Sequence, residues 1–345
     1  MAVRDPEMAF GIMVYNQAHH LERSLQSILA QSFSDFRLVA IDDNSADDSF
    51  AILERYAKLD PRLQIHRNQK RIGYVRNARQ SYALCRDAFP SLQFFAWASD
   101  HDVLHPNWLE LHIAALKAEP DAALAYSWHQ VIDANGSLIH PRALRAADRS
   151  HSRDARARMI FAVHEVPAGA LIYGLFRMAA LRKTSGICPV MAPDALLIAE
   201  LALAGSFVCI QEFLWHRRYF RLFSVKRQRR NSFPDGAPLH TYLPTTVQHT
   251  SILVYDLFVR RLAESALSRW QAGLLALTFI AARQRNEWRR MRRQRNFAKT
   301  KGAAPWSRRL KRFRNIASKK GAAEAVAREL RSWLSTAVKL LRGRE

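Results

Sequence analysis

Short apolar runs alternate along the first 128 residues with stretches whose apolar positions recur at helical spacing. Residues 9–14 are compactly apolar and end in Tyr15-Asn16, the pattern of a strand buried on both faces. Leu21, Leu25, Ile28 and Leu29 then repeat at helical spacing. Residues 36–41 read as a second strand, and Asn44 or Ser45 can cap a helix whose apolar face is Ile52, Leu53 and Tyr56. Residues 63–66 form a short third strand, and Gly73 opens a helix that runs through Cys85. Residues 94–98 are a fourth strand, Pro106 opens a helix to Lys117, and residues 122–128 are a fifth strand. Strand and helix alternating at this spacing predict an α/β fold with a doubly wound, mostly parallel sheet.

Beyond that repeat the pattern changes. Residues 132–152 are polar and rich in Arg, Asp and Ala, as in a loop or weak hairpin, and order returns over residues 166–176. Pro193 starts a helix that Gly205 ends, and residues 207–210 read as a short strand. From about Thr245 onward the spacing is helical, first through Ile252, Leu253, Tyr255, Leu257 and Phe258. Residues 283–295 are a basic run broken by Trp288 and Met291, and residues 323–341 are amphipathic. The predicted division is a sheet domain over 1–230 and a basic helical extension over 231–345.

Charge sharpens that division. The first 216 residues carry 22 Lys and Arg against 23 Asp and Glu, and the remainder carries 31 against 7. A strongly basic rear third fits an anionic surface. Its Trp270, Trp288, Trp306 and Trp333 suit interfacial docking on anionic lipid. No nucleic-acid module is visible, so nucleic acid is not an expected partner. Three scattered cysteines, Cys85, Cys188 and Cys209, exclude a disulfide framework or a CxxC zinc site and fit a reducing, cytoplasmic setting. The apolar stretches over 270–282 and 189–210 are respectively too short and too interrupted to cross a bilayer.

The chemistry-bearing residues lie where the predicted strands end. They are Val14-Tyr15-Asn16, Asp42-Asp43-Asn44-Ser45, Gly73 with Arg76-Asn77, and Asp100-His101-Asp102 with Pro106. The carboxyl ends of parallel strands are where open α/β sheets bind ligands. Two Asp one residue apart on such a turn can hold a divalent cation on a diphosphate.

Taken in order, these segments resemble glycosyltransferase family 2, inverting nucleotide-sugar enzymes of GT-A fold. The resemblance is strong over residues 9–128 and fainter to about Ser224. It implies that Asp100 and Asp102 hold Mg²⁺ or Mn²⁺, with Asp100 also reaching the ribose. It implies that Asp43 meets the nucleobase, that Val14, Tyr15 and Asn16 line the donor pocket, and that Arg76 faces the diphosphate. It assigns the general base to Asp194, although Pro193 stands where relatives carry Glu. A His ligand is expected near residues 215–219. His216 is its candidate, while Tyr219 occupies the aligned position, and Arg217 or Arg218 is placed to stabilise the leaving diphosphate. The implied partners are a nucleotide-sugar donor, a glycan or lipid-linked acceptor of surface polysaccharide assembly, and the cytoplasmic membrane face. Two alternatives stand beside this reading: a non-catalytic glycan-binding or scaffolding member of the fold, and a nucleotidyltransferase. The second is disfavoured because Val14-Tyr15-Asn16-Gln17 is not glycine-rich.

Overall fold

A computed structural model describes residues 5–140, 152, 154–164, 168–219, 224–261 and 268–300. The chain divides into two units, 1–237 and 238–345. The first unit opens with β1 (Met8–Val14), α1 (Ala18–Leu29), β2 (Phe36–Asp42), α2 (Ser49–Leu59) and β3 (Leu63–Arg67). It continues with α3 (Tyr74–Ala88), β4 (Phe94–Ala98), β5 (Val103–Leu104), α4 (Trp108–Ala118) and β6 (Ala122–Ile132). Then follow β7 (Leu138–His140), α5 (Ala155–His164), α6 (Ala168–Leu171), β8 (Leu175–Arg177) and α7 (Met178–Leu181). The unit closes with α8 (Pro193–Ala204), β9 (Ser206–Arg218) and α9 (Val225–Ser232).

The sheet runs β3-β2-β1-β4-β8-β6-β9-β5, with β7 beside β6. Strands β3, β2, β1 and β4 are mutually parallel, as are β6 and β9. β8 is antiparallel to β4 and β6, β5 to β9, and β7 to β6. The apolar runs form strands because helices cover both sheet faces, leaving every β4 residue and all but one of β1 buried. Helix α1 turns Leu21, Leu25 and Ile28 inward at one-turn spacing. Phe10 meets Phe36 edge-on at 5.7 Å and Trp108 at 5.8 Å, while Trp97 bridges Phe95 and Phe176. This aromatic packing fixes the strands whose exits build the site.

Two expectations are corrected. The strand expected over 207–210 is a 13-residue strand that includes Trp215, His216, Arg217 and Arg218, and β6 runs on to Ile132. The β6–β9 register shifts near Ser127 and Trp128. Such bulges break the period-two alternation that would have announced the longer strands.

The second unit contains α10 (Thr245–Tyr255), a π-helical turn (Asp256–Arg261) and α11 (Arg269–Thr300). Ile252, Leu253, Leu257, Ala272, Leu275 and Phe279 are among its buried apolar residues, and Arg261 donates to Asp256 at 2.8 Å in the interior. No described helix is long and apolar enough to cross a membrane. The amphipathic stretch expected over 323–341 lies outside the described residues.

Candidate active site

The adjacent parallel strands β2, β1 and β4 end side by side, with Val14 in register with Asp42 and Ile12 with Ala98. Val14 enters through its main chain, its carbonyl accepting from Asp43 N at 2.8 Å. The turn after β1 is locked to the turn after β2. Asn16 N donates to Ser45 Oγ at 3.0 Å, and Ala46 N to Asn16 Oδ1 at 2.8 Å. Asn16 and Asn44 adopt left-handed backbone, φ 51° and 58°, a conformation Asn tolerates because its side chain bonds locally. Among the described residues the third non-glycine with such a φ is Ala192, at 52°, immediately before the helix that carries Asp194. For Ala this costs roughly 1–2 kcal/mol, and strain of this kind clusters at functional sites.

Asp42 is fully buried and supports its loop, accepting from Ser45 N at 3.0 Å with Arg67 Nε at 3.4 Å. Asp43 organises the loop before α3, since Oδ1 accepts from Ile72 N at 2.7 Å and Asn68 Nδ2 at 3.1 Å. Its Oδ2 accepts from Gly73 N at 2.9 Å, leaving acceptor capacity on that oxygen. The same loop places the Arg71 guanidinium 3.9 Å from the centre of the Tyr15 ring, a cationic platform that sequence reasoning missed. Arg76 is exposed and ion-paired with Asp235 at 3.0 Å, a partner it shares with Lys70.

The turn after β4 carries Asp100, His101 and Asp102. His101 Nδ1 lies 2.6 Å from Asp100 Oδ1, and its Nε2 lies 3.8 Å from Asp102 Oδ1. Asp100 Oδ2 faces Tyr15 N at 3.4 Å, joining the turn to the β1 exit. Burial alone pushes the His101 pKa down, but the Asp100 hydrogen bond and the two carboxylate charges outweigh it and raise it. Burial raises the Asp102 pKa, opposed by His101, Arg218 N, Arg217 and the Trp215 indole. Asp102 is 4% exposed.

Helix α8 starts at Pro193, so Asp194 sits in its first turn, where the helix dipole favours a carboxylate. A Cβ on Gly169, in α6, would lie 3.4 Å from Arg217 Nη2 and 3.6 Å from Asp194 Oδ2. The glycine thus lets the candidate base and a cation approach each other. Arg217 also lies over the Trp215 ring at 5.4 Å. Tyr173, whose ring is 5.4 Å from Trp215, was also missed from sequence. Its hydroxyl pKa is raised by burial and by the charges of Asp102, Asp100 and Asp194, with Arg217 opposing. A single Tyr in an apolar run carries no local signal of that position.

His216 pairs across β5–β9 with Val103. Burial lowers its pKa, helped by electrostatic repulsion from the neighbouring Arg23 and His105. Among the described residues no three His, Cys, Asp or Glu side chains converge to hold a metal, so His216 is not brought to Asp100 and Asp102. Two carboxylates nevertheless suit a hard cation that keeps water and takes its remaining ligands from substrate phosphates. The pair therefore fits a metal that arrives with a diphosphate, not one caged by protein alone.

The three parallel strand exits, the acidic turn and the antiparallel β8 between β4 and β6 define a mixed α/β sheet of GT-A type. The family model for "Glycosyl transferase family 2" matches residues 10–182, and the chain belongs to this family of glycosyltransferases. An uncharacterized glycosyltransferase of Haemophilus influenzae is 25% identical over 127 residues, covering 37% of this chain and 38% of that protein. Chondroitin synthase of Escherichia coli is 28% identical over 137 residues, covering 39% of this chain and 19% of that protein. The chain thus matches well under half the length of these relatives. The crystal structure of S. aureus TarS 1–349 in complex with UDP-GlcNAc superposes with a TM-score of 0.54 at 13% identity. It covers 80% of this chain and 72% of that one, a likeness of fold.

Proposed function

We propose that the enzyme transfers a sugar from a nucleoside-diphosphate donor to a glycan or lipid-linked acceptor, with inversion at the anomeric carbon. The observation that carries this reading is a pair of juxtapositions. The Asp100–Asp102 turn sits beside the nucleotide-side loops, and Asp194 faces Arg217 across Gly169. Tyr15, Asn16 and Asp43 shape the base pocket, with Arg71 stacked on Tyr15 as its wall. Asp100 and Asp102 would hold Mg²⁺ or Mn²⁺, which when bound neutralises charge on the donor diphosphate.

Asp194 accepts the proton of the acceptor hydroxyl as its oxygen bonds to the anomeric carbon. The bond from that carbon to the diphosphate oxygen breaks, and the electron pair leaves on the diphosphate. Arg217 is placed to meet that developing charge with a planar fork of donors. Arg76 reaches a diphosphate only by exchanging its Asp235 partner. Surface polysaccharide assembly is the proposed setting, supported by the chondroitin synthase relative, with the basic rear third holding the enzyme at the cytoplasmic membrane face.

Kinetics of Asp194→Asn test the assignment. A lost general base lowers kcat by about 10²–10⁴-fold with donor KM nearly unchanged. Undiminished kcat in that variant contradicts Asp194 as the base.

A further inference from the structure

We propose that Trp215 and Arg218, both on β9, are positioning residues that orient the Asp102 carboxylate and thereby set the affinity for a divalent cation carried on a diphosphate. This rests on the reading of Asp100 and Asp102 given above. Trp215 Nε1 donates to Asp102 Oδ2 at 3.0 Å, and Arg218 N donates to Oδ1 at 2.7 Å. Each oxygen is thus committed to one donor and keeps further acceptor capacity. The rotation of the carboxylate, and with it the direction of the remaining lone pairs, is fixed from β9.

The Arg218 side chain completes the arrangement. Its Nε donates to the His101 carbonyl at 2.9 Å, the peptide between the two aspartates. Its Nη1 donates to the carbonyls of Asp133 at 2.7 Å and Ala134 at 2.6 Å, in the β6–β7 turn. An Arg that is 4% exposed and directs its donors at three carbonyls is built to hold main chain. That separates it from its neighbour Arg217, which faces Gly169 and Asp194. Trp215 is itself held in place, with His129 at 4.9 Å and Tyr173 at 5.4 Å between ring centres. Partners that orient a metal's carboxylate ligands typically change metal affinity about 10–100-fold when removed.

The test is Mn²⁺ binding to the full chain, followed by electron paramagnetic resonance with UDP, GDP, dTDP or CDP present. Wild type is compared with Asp102→Asn, Trp215→Phe, Arg218→Lys and Arg218→Ala, and the melting temperature of each is measured without ligand. Trp215→Phe keeps an aromatic ring in place and removes the indole donor together with part of the ring volume. The expected result is loss of Mn²⁺ binding in Asp102→Asn and about 10–100-fold weaker binding in Trp215→Phe, with the latter still folded and its melting temperature lowered only as the lost ring volume requires. Arg218→Lys, which keeps the charge but not the fork, weakens binding in the same way. Added guanidinium restores affinity to Arg218→Ala. Affinity within twofold of wild type in Trp215→Phe, alongside loss in Asp102→Asn, overturns the positioning role and leaves the metal reading intact. Mn²⁺ binding that survives in Asp102→Asn, or is absent from wild type with every nucleotide, overturns the metal reading instead. If the Arg218 variants do not fold, Trp215→Phe decides.

Discussion

At the scale of single residues, position matters more than residue type. Asp42 and Asp43 are neighbours, yet one is sealed in the interior as a loop support while the other organises the 68–73 loop beside the β1 exit. Arg71 and Arg76 lie five positions apart, but only Arg71 stacks on Tyr15. Removing the guanidinium in Arg71→Ala should cost about 0.5–2 kcal/mol of cation–π energy. That predicts a donor KM raised roughly 2–30-fold at unchanged kcat, and a KM equal to wild type would exclude Arg71 from the donor pocket. The strand-end carboxylates were named from the sequence because such motifs are short and local, whereas Asp194 and Arg217 came with the family resemblance. Arg71, Tyr173 and Trp215 were given no role, and Arg218 was named only as an alternative to Arg217 at the diphosphate, because the contacts these residues make depend on which strand lies beside which. The register that brings β9 past Asp102 spans more than a hundred residues.

At the scale of elements, the loop before α3 depends on Gly73. Its φ of 86° and ψ of 166° fall in a region open essentially only to glycine. A Cβ there would also meet Pro234 Cδ at 2.5 Å, Ser232 O at 2.7 Å and Asn231 O at 2.9 Å. Gly73→Ala should therefore lose about 2–4 kcal/mol of stability, from backbone strain together with overpacking. A denaturant midpoint matching wild type would refute this. Helix α4 makes a pH prediction. His112 is wholly buried, stacked on Trp108 at 4.0 Å, and burial lowers its pKa to about 3. Because the folded pKa lies below the unfolded one, the unfolded chain binds the extra proton between pH 6.5 and 3. Stability from this residue is thus present above pH 6.5 and lost as pH falls, by at most about 1.4 kcal/mol per pH unit. His112→Phe should flatten the fall in melting temperature below pH 6.5, and an unchanged slope would show that His112 does not drive it. The parallel core was readable because strands buried on both faces are written as apolar runs. Strand β9 was readable only in its first third, because bulges and half-exposed polar positions erase the alternation.

At the scale of the whole molecule, the front two-thirds carries the family 2 fold, and the rear third carries most of the net positive charge. On α9, Lys226, Arg227 and Arg230 are exposed in the described structure. If the basic region docks on membrane, the full chain should float with anionic vesicles at low salt and be released at high salt, as screened charge requires. Equal flotation with neutral vesicles would refute an electrostatic docking role. The proposed nucleotide-diphosphate site, completed by metal at Asp100 and Asp102, is probed through the melting temperature. UDP, GDP, dTDP and CDP are each added with Mn²⁺ and again with EDTA. A ligand that binds only the folded state raises the melting temperature by mass action. A rise for one nucleotide, abolished by EDTA and absent in Asp102→Ala, is expected, whereas no rise with any of the four, or one indifferent to EDTA, would refute the metal-diphosphate site.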